Sequence, residues 1–139
     1  MKDKGLILLI DMVADPNNIN LPETSFMGRI EKKLIQKKYS TGYYTADKKE
    51  KFIKENYVAV LINIGAPFDR QMRKAKTLLE ELKDKQDSIP HIVYTSSHHD
   101  LGDNLRVMQR YAEVVDPTKT SSQAFADLID KKIRENQTK

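Results

Sequence analysis

The chain contains no cysteine and no long apolar run. The absence of cysteine excludes disulfide bonds and thiolate metal sites, and it fits a reducing compartment. No apolar run approaches the roughly 20 residues that a membrane-spanning helix requires. After the polar start Met1–Lys4, a short apolar stretch ends already at Asp11, so no secretory signal is indicated. We therefore expect a cytoplasmic protein without membrane association.

Size and charge balance are those of an ordinary globular protein. The 139 residues are 39% hydrophobic and 32% charged, which is enough for one core, and no repeat or linker divides them. We therefore expect a single domain that covers residues 1–139. The net charge of +4 permits nucleic acid or an acidic partner but indicates neither of them.

Three short apolar runs are typical of strands that are buried on both faces: Leu6–Ile10, Val58–Asn63 and Ile89–Tyr94. Polar residues stand where these runs end: Asp11 after the first, Asn63 in the second, and Thr95 with Ser96 after the third. In open parallel sheets the functional crevice lies outside the carboxyl ends of the strands. These polar endings should therefore converge on one site.

The rest of the chain alternates between short strands and amphipathic helices. Further strands are predicted at 42–46 and 114–115, and helices at 26–35, 48–56, 69–86, 102–111 and after Ser121 or Ser122. The first helix should be capped by Thr24 or Ser25 and should bury Phe26, Ile30, Leu34 and Ile35. This alternation predicts an α/β, flavodoxin-like, doubly wound fold with a five-stranded parallel sheet in the order 2-1-3-4-5.

Four local motifs add a family resemblance to this layout. They are Ile10-Asp11-Met12 after the first strand, Asn63 to Pro67 (N-I-G-A-P) after the third, Tyr94-Thr95-Ser96 after the fourth and Asp116-Pro117 after the fifth. In these positions the chain resembles the receiver domain of bacterial two-component response regulators, of the CheY-like type. The family patterns are V-D-D, D-x-x-M-P, a Thr or Ser followed by a small residue, and K-P, and the resemblance covers nearly the whole chain.

The departures from the family pattern fall on its reactive positions. The resemblance puts Asn63 at the phosphoacceptor Asp, Met12 at the second acidic position and Asp116 at the Lys, and only Asp11 and the Thr95 hydroxyl remain. It therefore implies a pseudo-receiver without phosphotransfer, without enzymatic activity and without a cofactor. The degenerate pocket would consist of Asp11, Met12, Asn63, Thr95, Ser96 and Asp116. A magnesium site made by Asp11 with Asp15 is an alternative that would offer the ion few protein ligands.

The resemblance also implies how such a domain acts. Pseudo-receivers work through protein contacts, commonly on the face of the fourth helix, fifth strand and fifth helix. Here that candidate partner face would include Leu105, Met108, Glu113, Asp116 and Lys119. We expect a protein partner in a signalling pathway, with homodimerisation through the same face as a further option.

Plainer readings of the same residues stay open. Asn63 could simply close a strand and accept hydrogen bonds from loop amides, and Asp11 could do the same. Thr95 and Ser96 could bind an anion or cap their own loop. The alternative function is a small-molecule or nucleotide-binding enzyme that uses Asp11, Asp15 and the His98–Asp100 loop beneath the long Met12–Thr24 loop.

Three further functions are disfavoured. The lysine runs at 32–38 and 48–54 are most often solvated helix faces, so nucleic-acid binding is not the preferred interpretation. The adjacent His98 and His99 seldom face one ion together, and His91 lies inside a predicted strand, so a metal site is not favoured either. Flavin binding is disfavoured because the first loop has no Ser/Thr/Gly-rich phosphate cradle.

Overall fold

Strands and helices alternate along the chain, as the sequence pattern predicts. The computed structural model describes residues 4–12, 23–65, 69–85, 88–95 and 97–137. The strands are β1 (Leu6–Asp11), β2 (Ser40–Thr45), β3 (Ala59–Asn63), β4 (His91–Tyr94) and β5 (Glu113–Val115). The α-helices are α1 (Phe26–Gln36), α2 (Lys49–Phe52), α3 (Asp69–Lys85), α4 (Asn104–Gln109) and α5 (Ser122–Gln137). Short 3-10 turns lie at Ala46–Lys48, His98–Asp100 and Pro117–Lys119.

The strands form one parallel sheet in the order β2-β1-β3-β4-β5, which confirms the predicted order. Strand β1 lies between β2 and β3, so that Leu8 is opposite Gly42 on one side and Val60 on the other. The fully apolar runs occupy the inner strands, since a parallel sheet that is covered by helices on both faces leaves no strand face for water.

Alternating strand residues contribute their side chains to two separate core layers. Leu8 and Ile10 of β1 pack in the layer that α3 covers, whereas Ile7 and Leu9 pack beneath α1 and α5. These four side chains are fully buried. Removing such a side chain from water contributes about 1.5–3 kcal/mol, so the sheet carries much of the folding free energy in its middle strands. The period of two along β1 therefore determines which of its side chains face each helix layer.

Side-chain caps set the starts of the two helices on the α1–α5 face. Ser25 Oγ accepts from the Gly28 N–H at 3.0 Å, and Ser121 Oγ accepts from the Ala124 N–H at 3.1 Å. Each cap satisfies an amide that has no partner within its own helix. Of the alternatives that the sequence leaves open, the structure thus selects Ser25 and Ser121.

Some predicted boundaries are wrong. The helix predicted at 48–56 is a 3-10 turn followed by the single turn of α2, in which Phe52 is the buried anchor. Ile35 is 51% exposed, although it was predicted on the buried face of α1, because Leu34 occupies that face one residue earlier. Helix α4 begins at Asn104 rather than at residue 102, since Gly102 has a φ of +55° that a helix cannot continue.

Strand limits also differ from those predicted. Strand β2 begins at Ser40 and not at residue 42, because Ser40 lies opposite Leu6 in the ladder with β1. Strand β4 begins only at His91, after Pro90, whose carbonyl accepts from the Val60 N–H at 3.0 Å. Pro90 has no N–H to donate, and so it stands at the entrance of the strand.

A buried polar bridge joins the start of β2 to α5. The Tyr39 hydroxyl donates to Asp130 Oδ1 at 2.5 Å, and Arg134 Nε lies 3.3 Å from the other carboxylate oxygen. Tyr39 is 4% exposed and Asp130 is 8% exposed. A carboxylate this deeply buried requires partners, so the bridge holds α5 at one position on the sheet.

We predict that Tyr39→Phe lowers the free energy of unfolding by about 1–3 kcal/mol, because the Asp130 carboxylate loses its buried donor. Urea denaturation measures the change. Tyr44→Phe is the matched control, since its hydroxyl makes only a 3.5 Å exposed contact with Glu55. Equal losses in the two variants would contradict the assigned role of the bridge.

We also predict a loss of stability at alkaline pH. All six tyrosines have raised pKa values, through burial at five positions and through the hydrogen bond to Glu80 at the sixth: Tyr39, Tyr43, Tyr44, Tyr57, Tyr94 and Tyr111. The folded state thus keeps tyrosine protons that the unfolded state releases near pH ~10. This contribution is complete below that pH and is lost as the pH rises above it.

Tyrosinate absorbance, followed with circular dichroism during a pH titration, tests this prediction. We expect most of the ionisation to coincide with unfolding. Six tyrosines that ionise near pH ~10 while the dichroism stays native would overturn it.

Candidate functional site

The ends of β1, β3 and β4 meet at one edge of the sheet. Asp11 lies opposite Asn63, and Asn63 lies opposite Tyr94, directly before Thr95. Parallel pairing without offset brings the polar residues that end these strands side by side. The edge therefore collects Asp11, Asn63 and Thr95, as the sequence predicts.

The Asn63 side chain is hydrogen-bonded within the turn that it begins. Its Oδ1 accepts from the Gly65 N–H at 3.1 Å, and its carbonyl accepts from the Met12 N–H at 3.0 Å. A side-chain amide that accepts from the backbone two residues onward is typical of a strand that turns into a loop. The plainer interpretation of Asn63, as a residue that bonds loop amides, describes this geometry directly.

Asp11 accepts a hydrogen bond from the neighbouring strand β2. The Tyr43 hydroxyl donates to Asp11 Oδ2 at 3.1 Å. Burial and then the charge of Asp11 raise the pKa of Tyr43, and the same two causes raise the pKa of Tyr94. The Asp11 carboxylate thus accepts from one phenol and lies close enough to a second to raise its pKa.

Met12 contributes packing and backbone at the position next to Asp11. Its side chain is partly buried against the core layer beneath α3, and its carbonyl accepts from Gln71 Nε2 at 3.0 Å. The same Gln71 nitrogen donates to the Ile64 carbonyl at 2.8 Å. Gln71 therefore joins the ends of β1 and β3. Sequence reasoning missed it, because a glutamine on a charged helix gives no signal of such a role.

Thr95 is fully buried at this edge, at 0% exposure. Its hydroxyl donates to the Gly65 carbonyl and accepts from the Ser97 N–H, the latter at 3.2 Å. The hydroxyl thus ties the loop after β3 to the loop after β4. This is the loop-capping alternative, whereas Ser96, its predicted companion, lies outside the described residues.

Asp116 forms a local turn beyond β5. Its Oδ1 accepts from the Thr118 N–H at 3.0 Å and from the Thr118 hydroxyl at 2.7 Å. These hydrogen bonds hold the pKa of the Asp116 carboxyl below its ordinary value. The residue is therefore a charged cap of the Pro117–Lys119 turn.

A cavity of about 440 Å³ opens beside these strand ends, between α1 and the loop after β5. Aromatic rings form part of its wall, since Tyr94 makes edge contacts with Phe26 and Phe125 at centroid distances of 5.4 and 5.6 Å. The volume is that of a small-molecule site. The cavity is lined by Asp11, Ser25, Phe26, Met27, Arg29, Asn63, Gly65, Tyr94, Pro117 and Thr118.

No cluster of three or more His, Asp or Glu side chains in the described residues is placed to hold a metal ion. His99 Nε2 lies 3.5 Å from Asp100 Oδ2 on the surface, where the His99 side chain is 82% exposed. Asp15, the second residue of the alternative magnesium site, lies outside the described part of the chain. Across that part, no helix has both the length and the apolar character for crossing a bilayer.

The candidate partner face requires one correction. Met108 is only 1% exposed, because it faces inward from α4 into the core, so it cannot contact a partner. Leu105 is partly buried against the same core layer. Glu113 and Lys119 are exposed, and Glu113 pairs with Lys132 of α5 at 3.6 Å. The exposed part of this face is therefore polar and charged.

Comparison with known proteins gives no match to a family model and no match among curated relatives. Solved structures do match. A CheY-like receiver domain protein from Methanospirillum hungatei JF-1 has a TM-score of 0.68 at 17% identity, with 96% of each chain covered. The receiver domain of nitrogen regulatory protein C has a TM-score of 0.69 at 17% identity, and the match covers 98% of this chain and 99% of that one.

The fold is that of a CheY-like receiver domain. An atypical orphan response regulator, described as having a phosphorylation-independent regulatory mechanism, also matches. Its TM-score is 0.64 at 19% identity, covering 93% of this chain and 95% of the other. On this receiver-like frame, hydrogen bonds of Gln71 and Thr95 link the strand-end loops to one another.

We predict that Thr95→Val lowers the free energy of unfolding by about 1–3 kcal/mol, because the Gly65 carbonyl and the Ser97 N–H lose a buried partner. Thermal and urea unfolding measure the change. Thr77→Val is the matched control, since the Thr77 hydroxyl donates to its own helix on the exposed side of α3. If Thr95→Val were as stable as Thr77→Val, the loop-joining role would be wrong.

Proposed function

We propose that the chain is a receiver-like signalling module that acts by protein contacts and without phosphorylation of its strand-end site. The observation that carries this proposal is the state of Asn63. It holds the position that the family resemblance assigns to the phosphoacceptor, and its amide oxygen is engaged with the Gly65 N–H. An uncharged amide is a poor nucleophile toward a phosphoryl donor at neutral pH.

The other replaced positions also disfavour phosphorylation of this site. Met12 supplies an apolar side chain where a second acid would hold magnesium, and Asp116 supplies a negative charge where a lysine would contact phosphoryl oxygens. A carboxylate near an incoming phosphoryl group repels it instead of neutralising its charge. Asp11 alone, hydrogen-bonded by Tyr43, is a poor substitute for the several oxygen ligands that Mg²⁺ prefers.

The structural neighbours support a regulatory role at the level of the fold. The matching proteins include an atypical orphan response regulator that is described as phosphorylation-independent. We propose the same mode of action here, with a protein partner in the cytoplasm and no catalysis by this chain. Contacts through the charged residues Glu113, Asp116 and Lys119 would suit a polar partner surface, whether a different protein or a second copy.

We predict that acetyl phosphate with Mg²⁺ adds no phosphoryl group to the wild-type protein, as read by intact mass. The reason is the absence of an acidic acceptor with its supporting charges. Met12→Asp/Asn63→Asp/Asp116→Lys restores these three side chains, and we expect this variant to gain a hydroxylamine-labile adduct. Asn63→Asp alone serves as the matched control and should be labelled less than the triple variant. A stoichiometric, hydroxylamine-labile phosphate on the wild type would end the proposal.

A ligand-binding or enzymatic role for the strand-end cavity is the second candidate. It is favoured by the 440 Å³ volume and by the approach of Asp11 and Arg29 to one space. A thermal-shift screen with nucleotides, flavins and divalent ions tests it, with Asp11→Asn as the site variant. If no compound raises the melting temperature of the wild type in a manner that Asp11→Asn abolishes, this candidate is lost.

A further inference from the structure

We propose that a second groove, between α2 and α3, binds a nucleotide. The groove has a volume of about 600 Å³, which is within the range of small-molecule sites. It lies beside the 3-10 turn that follows β2, and none of its lining residues belongs to the strand-end cavity. Its lining residues are Met12, Ala46, Asp47, Lys49, Glu50, Arg70, Arg73, Lys74, Thr77, Leu78 and Glu81.

One wall of the groove is cationic. Arg73 and Lys74 stand three and four residues after Arg70, so both lie on the same side of α3 as Arg70. Within the described residues none of the three forms an ion pair. Elsewhere on the same helix, Lys76 lies 3.9 Å from Glu80. Unpaired guanidinium and ammonium groups on one face favour an anion, and arginine in particular favours phosphate.

Apolar side chains contribute to the same groove. Met12, Ala46 and Leu78 line it, and Leu78 is only 6% exposed because it also belongs to the core layer beneath α3. A ligand consisting of phosphate alone would leave this apolar surface in water. A flat ring would cover it, at a gain of about 25 cal/mol for each Å² of apolar surface buried.

The wall formed by the 3-10 turn and α2 carries both charges, since Asp47 and Glu50 line the groove together with Lys49. Asp47 accepts from the Thr45 hydroxyl, and Glu50 has no ion-pair partner in the described part of the chain. Glu81 of α3 is already paired with Lys49 at 2.5 Å. Carboxylates here would repel phosphates, which places the phosphates of a nucleotide at the cationic wall of α3. The carboxylates can instead accept from sugar hydroxyls or a base amino group. A nucleotide combines the three groups that this groove suits: phosphate, a flat ring and neutral hydrogen-bond donors.

The experiment is isothermal titration calorimetry of the full chain with ATP, ADP, GTP and AMP, alongside inorganic phosphate and pyrophosphate. We expect at least one nucleotide to bind with a Kd below about 1 mM and to bind more tightly than pyrophosphate does. We expect Arg70→Glu/Lys74→Glu to weaken this binding roughly tenfold or more, because two charge-assisted contacts are reversed.

The control is Lys76→Glu, which reverses one charge on the same helix outside the groove lining. It should retain the wild-type affinity. Binding that is lost equally in Lys76→Glu, or that is unaffected by the double variant, would overturn the proposed site. So would the absence of binding by every nucleotide, or equal affinity for pyrophosphate.

Discussion

The pairing of β1 with β3 is the constraint on which the rest of the structure depends. It buries two apolar strands against each other and brings Asp11 and Asn63 to opposite positions in the register. A slip of one residue would turn the core side chains of β1 toward the wrong helices and would separate these two polar ends. Core packing and site geometry are thus set by the same ladder of backbone hydrogen bonds.

The fold could be predicted from sequence because its signals are local. Buried parallel strands are apolar throughout, and amphipathic helices repeat with their own period. The predictions that failed concern residues that compete for the same buried position, and this competition is decided only in the folded structure. Ile35 has the chemistry of a core residue, but Leu34 takes the buried position on α1. Met108 was predicted as part of the partner face, and its burial in the core rules out that role.

The candidate site could be predicted only in outline. Strand-end positions follow from topology, so Asp11, Asn63 and Thr95 were found, but their partners come from distant parts of the chain. Tyr43 reaches Asp11 from an edge strand, and Gln71 joins two strand ends from α3. No sequence motif indicated the groove between α2 and α3, because its two walls are distant in sequence and come together only in the folded structure.

The central proposal is that the strand-end edge is held by its own hydrogen bonds and does not act as a phosphoryl site. Nitrogen-15 NMR during addition of Mg²⁺ and beryllofluoride, a mimic of the phosphoryl group, tests it most directly. We predict that the amide signals of Met12, Asn63, Gly65 and Thr95 stay where they are when the two reagents are added together. Saturable shifts at these amides that require both Mg²⁺ and beryllofluoride would contradict the account.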